Sequence, residues 1–294
     1  MIARPDPVCD MDLEKFFDLV NHDKLMGEVA KRVKDWRILR TIRRFLEAGV
    51  LEQEALHETT EGTPQGGPLS PLLANLLLDG FDRELERWGH RFVRYADDSN
   101  VYVRSRRAGC RVLRNISEFL SERLKLKVNE AKSAVARPWQ RKFLGFSFSF
   151  KDFRRRISPA AVKRFKDRIR EITCRTRGRN MERIAAEVGQ YIRGWKAYFG
   201  FAEVLSPLKE LDSWIRRRLR CYLWKQWGRR GYRELRKHGV SRDLAWNTAK
   251  SAHGPWRLSR SPGLAFALPA RYFVSLGVPI LYIKGLSRSN RRGT

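Results

Sequence analysis

Apolar and polar residues recur along this chain with periods that divide it into strands and helices. Val8-Cys9-Asp10-Met11-Asp12-Leu13 reads as a short strand that ends in acid. Helical spacing follows to about Glu47, with Val20, Leu25, Val29, Val33 and Trp36 three to five residues apart. Gly62 to Pro68 is a turn-rich loop. It leads into a helix in which Ser70 suits the N-cap, Pro71 suits the first helical position, and Leu73, Leu76, Leu77, Phe81, Leu85 and Trp88 mark one face. Arg91 to Arg104 alternates as a β-hairpin around the turn Ala96-Asp97-Asp98-Ser99. A helix over about 108–125 and a strand over Phe143 to Phe150 come next. That strand sets Phe146, Phe148 and Phe150 against Ser147 and Ser149 on its other face.

From Ser158 the pattern becomes helical and rich in arginine. Leu211, Ile215, Leu219, Leu223 and Trp227 recur every four residues, and Arg216, Arg217, Arg220 and Lys225 lie largely off that stripe. The last stretch, with Pro255, Pro262, Pro269 and Pro279, reads as loops and short elements ending in a basic tail. The pattern predicts an α+β fold. An antiparallel sheet with flanking helices is expected over 1–150, a mostly helical domain over 151–245, and a basic extension over 246–294.

Composition sharpens this picture in one respect. The chain has 294 residues and is 42% hydrophobic, enough for a core, and no apolar run reaches the length of a membrane span. No signal-peptide pattern follows Met1, so a cytoplasmic or organellar setting is expected. Cys9, Cys110, Cys174 and Cys221 are too scattered for a zinc site. The net charge of +29 is unevenly spread: residues 1–150 carry 26 basic and 22 acidic side chains, and residues 151–294 carry 35 and 10. One sign dominates the second half, which points to a polyanion, nucleic acid above all, as its partner.

Three acids lie where apolar residues are the rule. Asp97 and Asp98 sit in the hairpin turn, and Asp12 ends the first strand. Taken singly, each has a structural explanation, because Asp favours turns and caps. A hairpin tip beside a strand end gathers all three, and such a cluster is tolerable only when a metal ion or protons neutralise it. Hard oxygen ligands suit Mg²⁺, and two such ions are the usual device for in-line displacement at phosphorus.

These residues also carry a resemblance. Tyr95-Ala96-Asp97-Asp98 resembles the YxDD box of reverse transcriptases, and Asp12-Leu13-Glu14-Lys15-Phe16-Phe17-Asp18 is similar to their first catalytic motif. Thr63 to Pro71 (TPQGGPLSP) is similar to the segment preceding the YxDD hairpin, and Phe143-Leu144-Gly145-Phe146 resembles their primer-contacting hairpin. The order and spacing of four motifs make the likeness specific. Tyr191 to Phe199 and Leu211 to Leu219 resemble the thumb domain of group II intron-encoded reverse transcriptase/maturases. Gly254-Pro255-Trp256-Arg257 and Tyr272-Phe273 with Leu276-Gly277 resemble the segment that follows it.

The resemblance implies roles residue by residue. Asp12, Asp97 and Asp98 are expected to ligate two Mg²⁺ ions, helped by the Leu13 carbonyl, with Asp10 as a neighbour. Phe17 is expected under the sugar of an incoming nucleotide, Gln65 and Gly66 along the nucleotide and template pocket, and Lys132 near the leaving phosphate. Leu144 and Gly145 are expected on the primer, and Arg193, Lys196, Arg216, Arg217 and Arg220 on RNA. The tryptophans Trp195, Trp214, Trp224 and Trp227 are expected to anchor helix packing.

The implied function is RNA-directed DNA synthesis plus assistance to the splicing and mobility of an intron. The implied partners are group II intron RNA, an RNA template with a DNA primer, and dNTPs. In the family a fingers region precedes the first motif. The chain is therefore expected to be a fragment, a truncated copy or half of a split protein, with a separate N-terminal piece or a second copy as a further partner. No Cys/His-rich nuclease module is legible. The rival reading is a non-enzymatic RNA-binding splicing factor that keeps the palm as scaffold.

Overall fold

The computed structural model describes residues 6–48, 50–52, 55–57, 61–64, 67–174, 176 and 178–282. The chain divides into two compact units, Met1–Phe143 and Leu144–Thr294, each with its own apolar core.

In chain order the first unit contains β1 (Val8–Met11), α1 (His22–Arg32), α2 (Trp36–Glu47), a small hairpin of β2 (Val50–Glu52) and β3 (Ala55–His57), and α3 (Ser70–Arg87). The hairpin β4 (Arg91–Tyr95) and β5 (Asp98–Tyr102), α4 (Arg106–Phe119) and β6 (Ala134–Ala136) complete it. Four strands form one antiparallel sheet in the order β4-β5-β1-β6. The pleat sends Cys9, Met11, Val101 and Val103 into the core, where Leu73, Leu77, Phe81 and Leu85 of α3 and Val112 and Ile116 of α4 meet them. Each such buried side chain contributes about 1.5–3 kcal/mol of transfer free energy.

Several local expectations change. Trp36 does not continue the stripe of α1: that helix ends at Arg32, and Asp35 caps a new one by accepting from Arg37 N. The phase is reset, and Trp36 is 62% exposed. Ser70 is the first residue of α3, not its cap, because its hydroxyl donates to the Pro64 carbonyl and closes the preceding loop. The turn between β4 and β5 is only Ala96-Asp97, since Tyr95 pairs with Asp98. The α4 helix stops at Phe119 and runs on as one π turn over Leu120–Leu124.

In the second unit, β7 (Phe146–Phe148) and β8 (Arg155–Ile157) form a hairpin. Helices α5 (Pro159–Ile172), α6 (Met181–Phe199) and α7 (Ser206–Trp227) follow, then α8 (Gly231–Lys237), α9 (Arg242–Lys250), α10 (Pro255–Leu258), α11 (Pro262–Ala267) and α12 (Ala270–Ser275). The four-residue stripe of α7 is buried throughout. Trp195 and Trp227 are buried, and Trp214 and Trp224 pack against the same core. Leu144 and Gly145 form a turn with φ of 50° and 77°, which shortens the strand expected from Phe143 and leaves Phe148 and Phe150 exposed. The Gly145 carbonyl accepts from Ser158 N at 2.9 Å, and Ser158 in turn caps α5 through Ala161 N. Contacts of this kind put the division of the chain after Phe143.

The stretch after 246 is not a separate extension. Leu258, Leu264, Leu268, Phe273, Val278 and Leu281 belong to the same core as α5 to α7. The buried Asp212 carboxylate accepts from Leu281 N and Tyr282 N at 2.9 and 2.8 Å. Among the described residues no helix is long and apolar enough to cross a membrane. Replacing Asp212 by Ala leaves two amides without their acceptor. It should lower unfolding free energy by about 1–3 kcal/mol in urea denaturation, and an unchanged midpoint would refute the anchor.

Candidate functional site

The register of β1 on β5 builds the site. Asp10 lies opposite Asn100 and Met11 opposite Ser99. Continued by one residue, it brings Asp12 beside Asp98 on the sheet face opposite the core, where directly paired residues stand about 4.5–5.5 Å apart at Cβ. On the same face Val93 pairs with Asn100 and Tyr95 with Asp98, and both Val93 and Tyr95 are exposed. One face of the sheet therefore carries acids bordered by exposed apolar side chains.

The electrostatics reflect this crowding. The Asp98 carboxyl is pushed up from its ordinary range by burial, then by the charges of Asp97, Asp12 and Asp10, and by a side-chain hydrogen bond with Asp12. Asp10 is raised as well. Burial dominates there, and the Arg141 guanidinium, with Nε 2.5 Å from Asp10 Oδ2, pulls the other way. Asp12 is held from the opposite side. Its amide donates to Ser133 Oγ at 3.1 Å, its carbonyl accepts from Asn129 N at 2.9 Å, and Lys132 Nζ lies 3.3 Å from its Oδ1. Arg141 also donates to the Lys132 carbonyl, tying the two acids to one strap.

The structure treats the three expected ligands unequally. The β1–β5 register, continued by one residue, sets Asp12 beside Asp98, whereas Asp97, on the turn itself, acts on Asp98 through charge. Among the described residues no three His, Cys, Asp or Glu side chains are gathered closely enough to hold one ion together. In kind the donors fit a divalent cation: they are hard carboxylate oxygens, crowded enough to raise Asp98, and the Lys132 ammonium already rests on one of them.

The turn is held by a residue to which the sequence motifs give no role. Arg94 shares the inner face of β4 with Phe92 and forks onto Asp82 of α3, Nε to Oδ1 at 2.7 Å and Nη2 to Oδ2 at 2.5 Å. Its Nη1 reaches Asn75 Oδ1 and the Ala96 carbonyl, both at 3.0 Å. Ala96 takes a left-handed φ of 53°, which costs a residue with a Cβ on the order of 1 kcal/mol. A signal for it exists in the chain: period two turns Arg94 inward, and an inward charge demands a partner.

Phe17 follows Asp12 on a short 3-10 turn, edge-on to the buried Phe16. Its carbonyl accepts from Thr63 N at 2.6 Å, so the glycine-rich loop docks beside it. Gly62 makes that approach possible: φ is +95°, and a Cβ there would stand 2.9 Å from the Asp18 carbonyl oxygen. Gln65 and Gly66 lie outside the described residues. The Leu13 side chain is buried, and its backbone bridges to Val128.

In the second unit the Leu144 carbonyl accepts from Tyr198 Oη at 3.0 Å. Four of the five residues expected on RNA donate to backbone carbonyls of the C-terminal stretch. Arg193 Nη1 donates to the Gly277 carbonyl at 3.3 Å, Lys196 Nζ to Ile280 at 2.8 Å and Arg220 Nε to Leu268 at 2.9 Å. Arg217 stacks on Trp256 and donates to its carbonyl at 3.1 Å. Arg216 is half-buried.

A sheet whose acid-bearing hairpin tip meets an acid at the end of a central strand is the palm of a nucleic-acid polymerase. Residues 2–148 match the family described as Reverse transcriptase (RNA-dependent DNA polymerase), and residues 162–239 match Group II intron, maturase-specific domain. This chain belongs to the reverse transcriptase family, in its group II intron maturase branch. Group II intron-encoded protein LtrA of Lactococcus lactis subsp. cremoris is 35% identical over 45% of this chain and 21% of its own length. Protein YkfC of Escherichia coli (strain K12) is 28% identical over 44% and 42%. A putative COX1/OXI3 intron 2 protein of Saccharomyces cerevisiae is 32% identical over 40% and 14%. The matches span less than half the length of these relatives.

Arg94→Lys keeps the charge and loses the fork. It should cost about 1–3 kcal/mol in thermal unfolding and speed amide hydrogen exchange at Tyr95 to Ser99. Exchange there equal to that of the parent chain would rule out a latch.

Proposed function

We propose that this chain performs RNA-directed DNA synthesis and assists the splicing and mobility of a group II intron. The observation that carries the reading is the β1–β5 register, which sets Asp12 against Asp98 at the tip of a YADD hairpin. Asp12, Asp97 and Asp98 would hold two Mg²⁺ ions. Such ions, when bound, polarise an attacking primer 3′-hydroxyl and stabilise the leaving pyrophosphate.

The chain's own residues supply the rest. The Arg94 fork keeps the turn from swinging away from β1. Lys132 lies beside Asp12, where its ammonium can turn to a departing phosphate. Phe17, fixed by Phe16 and Thr63, would lie under the sugar of the dNTP and exclude a 2′-hydroxyl. Gln65 and Gly66 would line the nucleotide and template pocket. Leu144 and Gly145 form the primer-facing turn in this reading, and the exposed Val93 and Tyr95 border the path of the duplex.

The arginine-rich second unit would bind intron RNA and the primer–template. Arg216 would touch RNA. Arg193, Lys196, Arg217 and Arg220 would share that role, and each also fastens the C-terminal stretch. A setting beside transcripts and DNA, in bacterial cytoplasm or an organelle, goes with this role.

Primer extension on an RNA template tests the reading. Asp97→Asn/Asp98→Asn should lower the rate about a thousandfold or more, the equivalent of ~4 kcal/mol. Equal background in both proteins, with splicing still stimulated, would leave only an RNA-binding splicing factor. Phe17→Ala should admit ribonucleotides, read as a rise in rNTP over dNTP incorporation; an unchanged ratio would remove Phe17 from the sugar. Binding to intron RNA should weaken about tenfold or more between 50 and 200 mM salt, and a flat dependence would count against the polyanion surface.

A further inference from the structure

The second unit has an open cleft of about 560 Å³ between α7, α9, α10 and the start of α11. Arg217, Arg257 and Arg260 line it, and among the described residues no acidic side chain does. Elsewhere in the unit Arg168, Arg170 and Arg183 each have a carboxylate partner within 4 Å. Arg217 is held rigidly. Its guanidinium lies 3.7 Å from the Trp256 ring centroid, Nη2 donates to the Trp256 carbonyl and Nε to Ser259 Oγ. Burial and the nearby charge of Arg260 both make Arg217 easier to deprotonate. Three like charges therefore line one cleft.

The rest of the lining is of another character. Leu244 and Leu258 give the cleft apolar wall, and Asn247 adds an amide that can donate and accept. Three cations, an apolar wall and one two-way amide match a phosphate joined to a flat, apolar-faced ring with a polar edge. A paired duplex shows phosphates on a convex surface and hides its base faces, so it would use the cations and leave the wall empty. The volume falls in the range of small-ligand clefts and suits one nucleotide.

We propose that this cleft is a binding site for a single unpaired ribonucleotide of an RNA. Its phosphate is held by Arg217, Arg257 and Arg260, and its base lies against Leu244 and Leu258 with its edge at Asn247. The inference rests on the reading of the second unit as an RNA-binding domain and adds a specific seat to it.

The test compares the full chain with Arg257→Gln/Arg260→Gln and with a charge-matched pair outside the cleft, Arg229→Gln/Arg230→Gln. All four side chains are exposed, so folding is spared, and matched thermal unfolding of the three proteins checks this. The probes are a single-stranded RNA octamer and the blunt duplex of the same length, followed by fluorescence anisotropy. The cleft pair should weaken octamer binding about tenfold or more and flatten its log–log salt slope by about 0.7 for each phosphate that is no longer neutralised. The duplex should weaken by less than about threefold, and the outside pair should do no more than that on either probe. A second variant, Asn247→Ala, should narrow the difference in affinity between oligo-A and oligo-U octamers.

Equal losses from the two pairs, or equal losses on octamer and duplex, would overturn the cleft while leaving a general RNA surface intact. An unaltered base preference in Asn247→Ala would overturn the seating of the base. A parent chain that binds neither probe would overturn the RNA reading of the second unit, and the cleft with it.

Discussion

Pairing of β1 with β5 puts Cys9 and Met11 in the core and Asp10 and Asp12 on the far face. Because side chains alternate strictly along a strand, a slip of one residue would drive two carboxylates into the core and expose a cysteine and a methionine. The apolar and the acidic patterns therefore enforce the same register. Burial of Met11 and Cys9 makes the slip costly by several kcal/mol, and that cost holds two like-charged acids together at the tip. The position of every other group at the site follows from this. Lys132 and Arg141 come in along the far edge of β1, and Arg94 ties the turn of the neighbouring hairpin to α3.

A second theme is how positive charge is used. An excess of arginine and lysine suggests a surface, yet Arg193, Lys196, Arg217 and Arg220 donate to carbonyls of the stretch between Trp256 and Ile280. Long cationic side chains can do this because their stems pack on apolar surface while their tips find acceptors. The C-terminal stretch has little regular structure longer than a turn or two, so its carbonyls need outside donors. Fold and charge are thus coupled, and removing one of these cations weakens a core as well as a field.

Much of this is legible in the residues. Alternation in Arg91 to Arg104 and the four-residue stripe in α7 specify their elements almost completely, because burial of one face leaves no other register. The acids stand out together, because a hairpin tip beside a strand end gathers three like charges, although each alone suits a turn or a cap. What spacing does not reveal depends on partners distant in sequence. Trp36 looks like a continuation of α1 because periodicity alone does not show that Asp35 starts a new helix. Ser70 looks like a cap, and only the folded loop supplies the Pro64 carbonyl that accepts from its hydroxyl. Nothing in the spacing of α7 marks Asp212, whose partners are amides at Leu281 and Tyr282.

The Lys132 contact with Asp12 has a consequence for how the acid pair meets other cations. An ammonium 3.3 Å from Oδ1 is a resident counterion, fastened to the polypeptide and unable to diffuse away. Any ion arriving there enters by exchange, displacing a tethered competitor. Each departure frees a lysine that is mostly in water and long enough to stay nearby. Were a cation to bind at the pair, its entry and exit would be coupled to the swing of one side chain, which can carry positive charge to whatever stands next to Asp12.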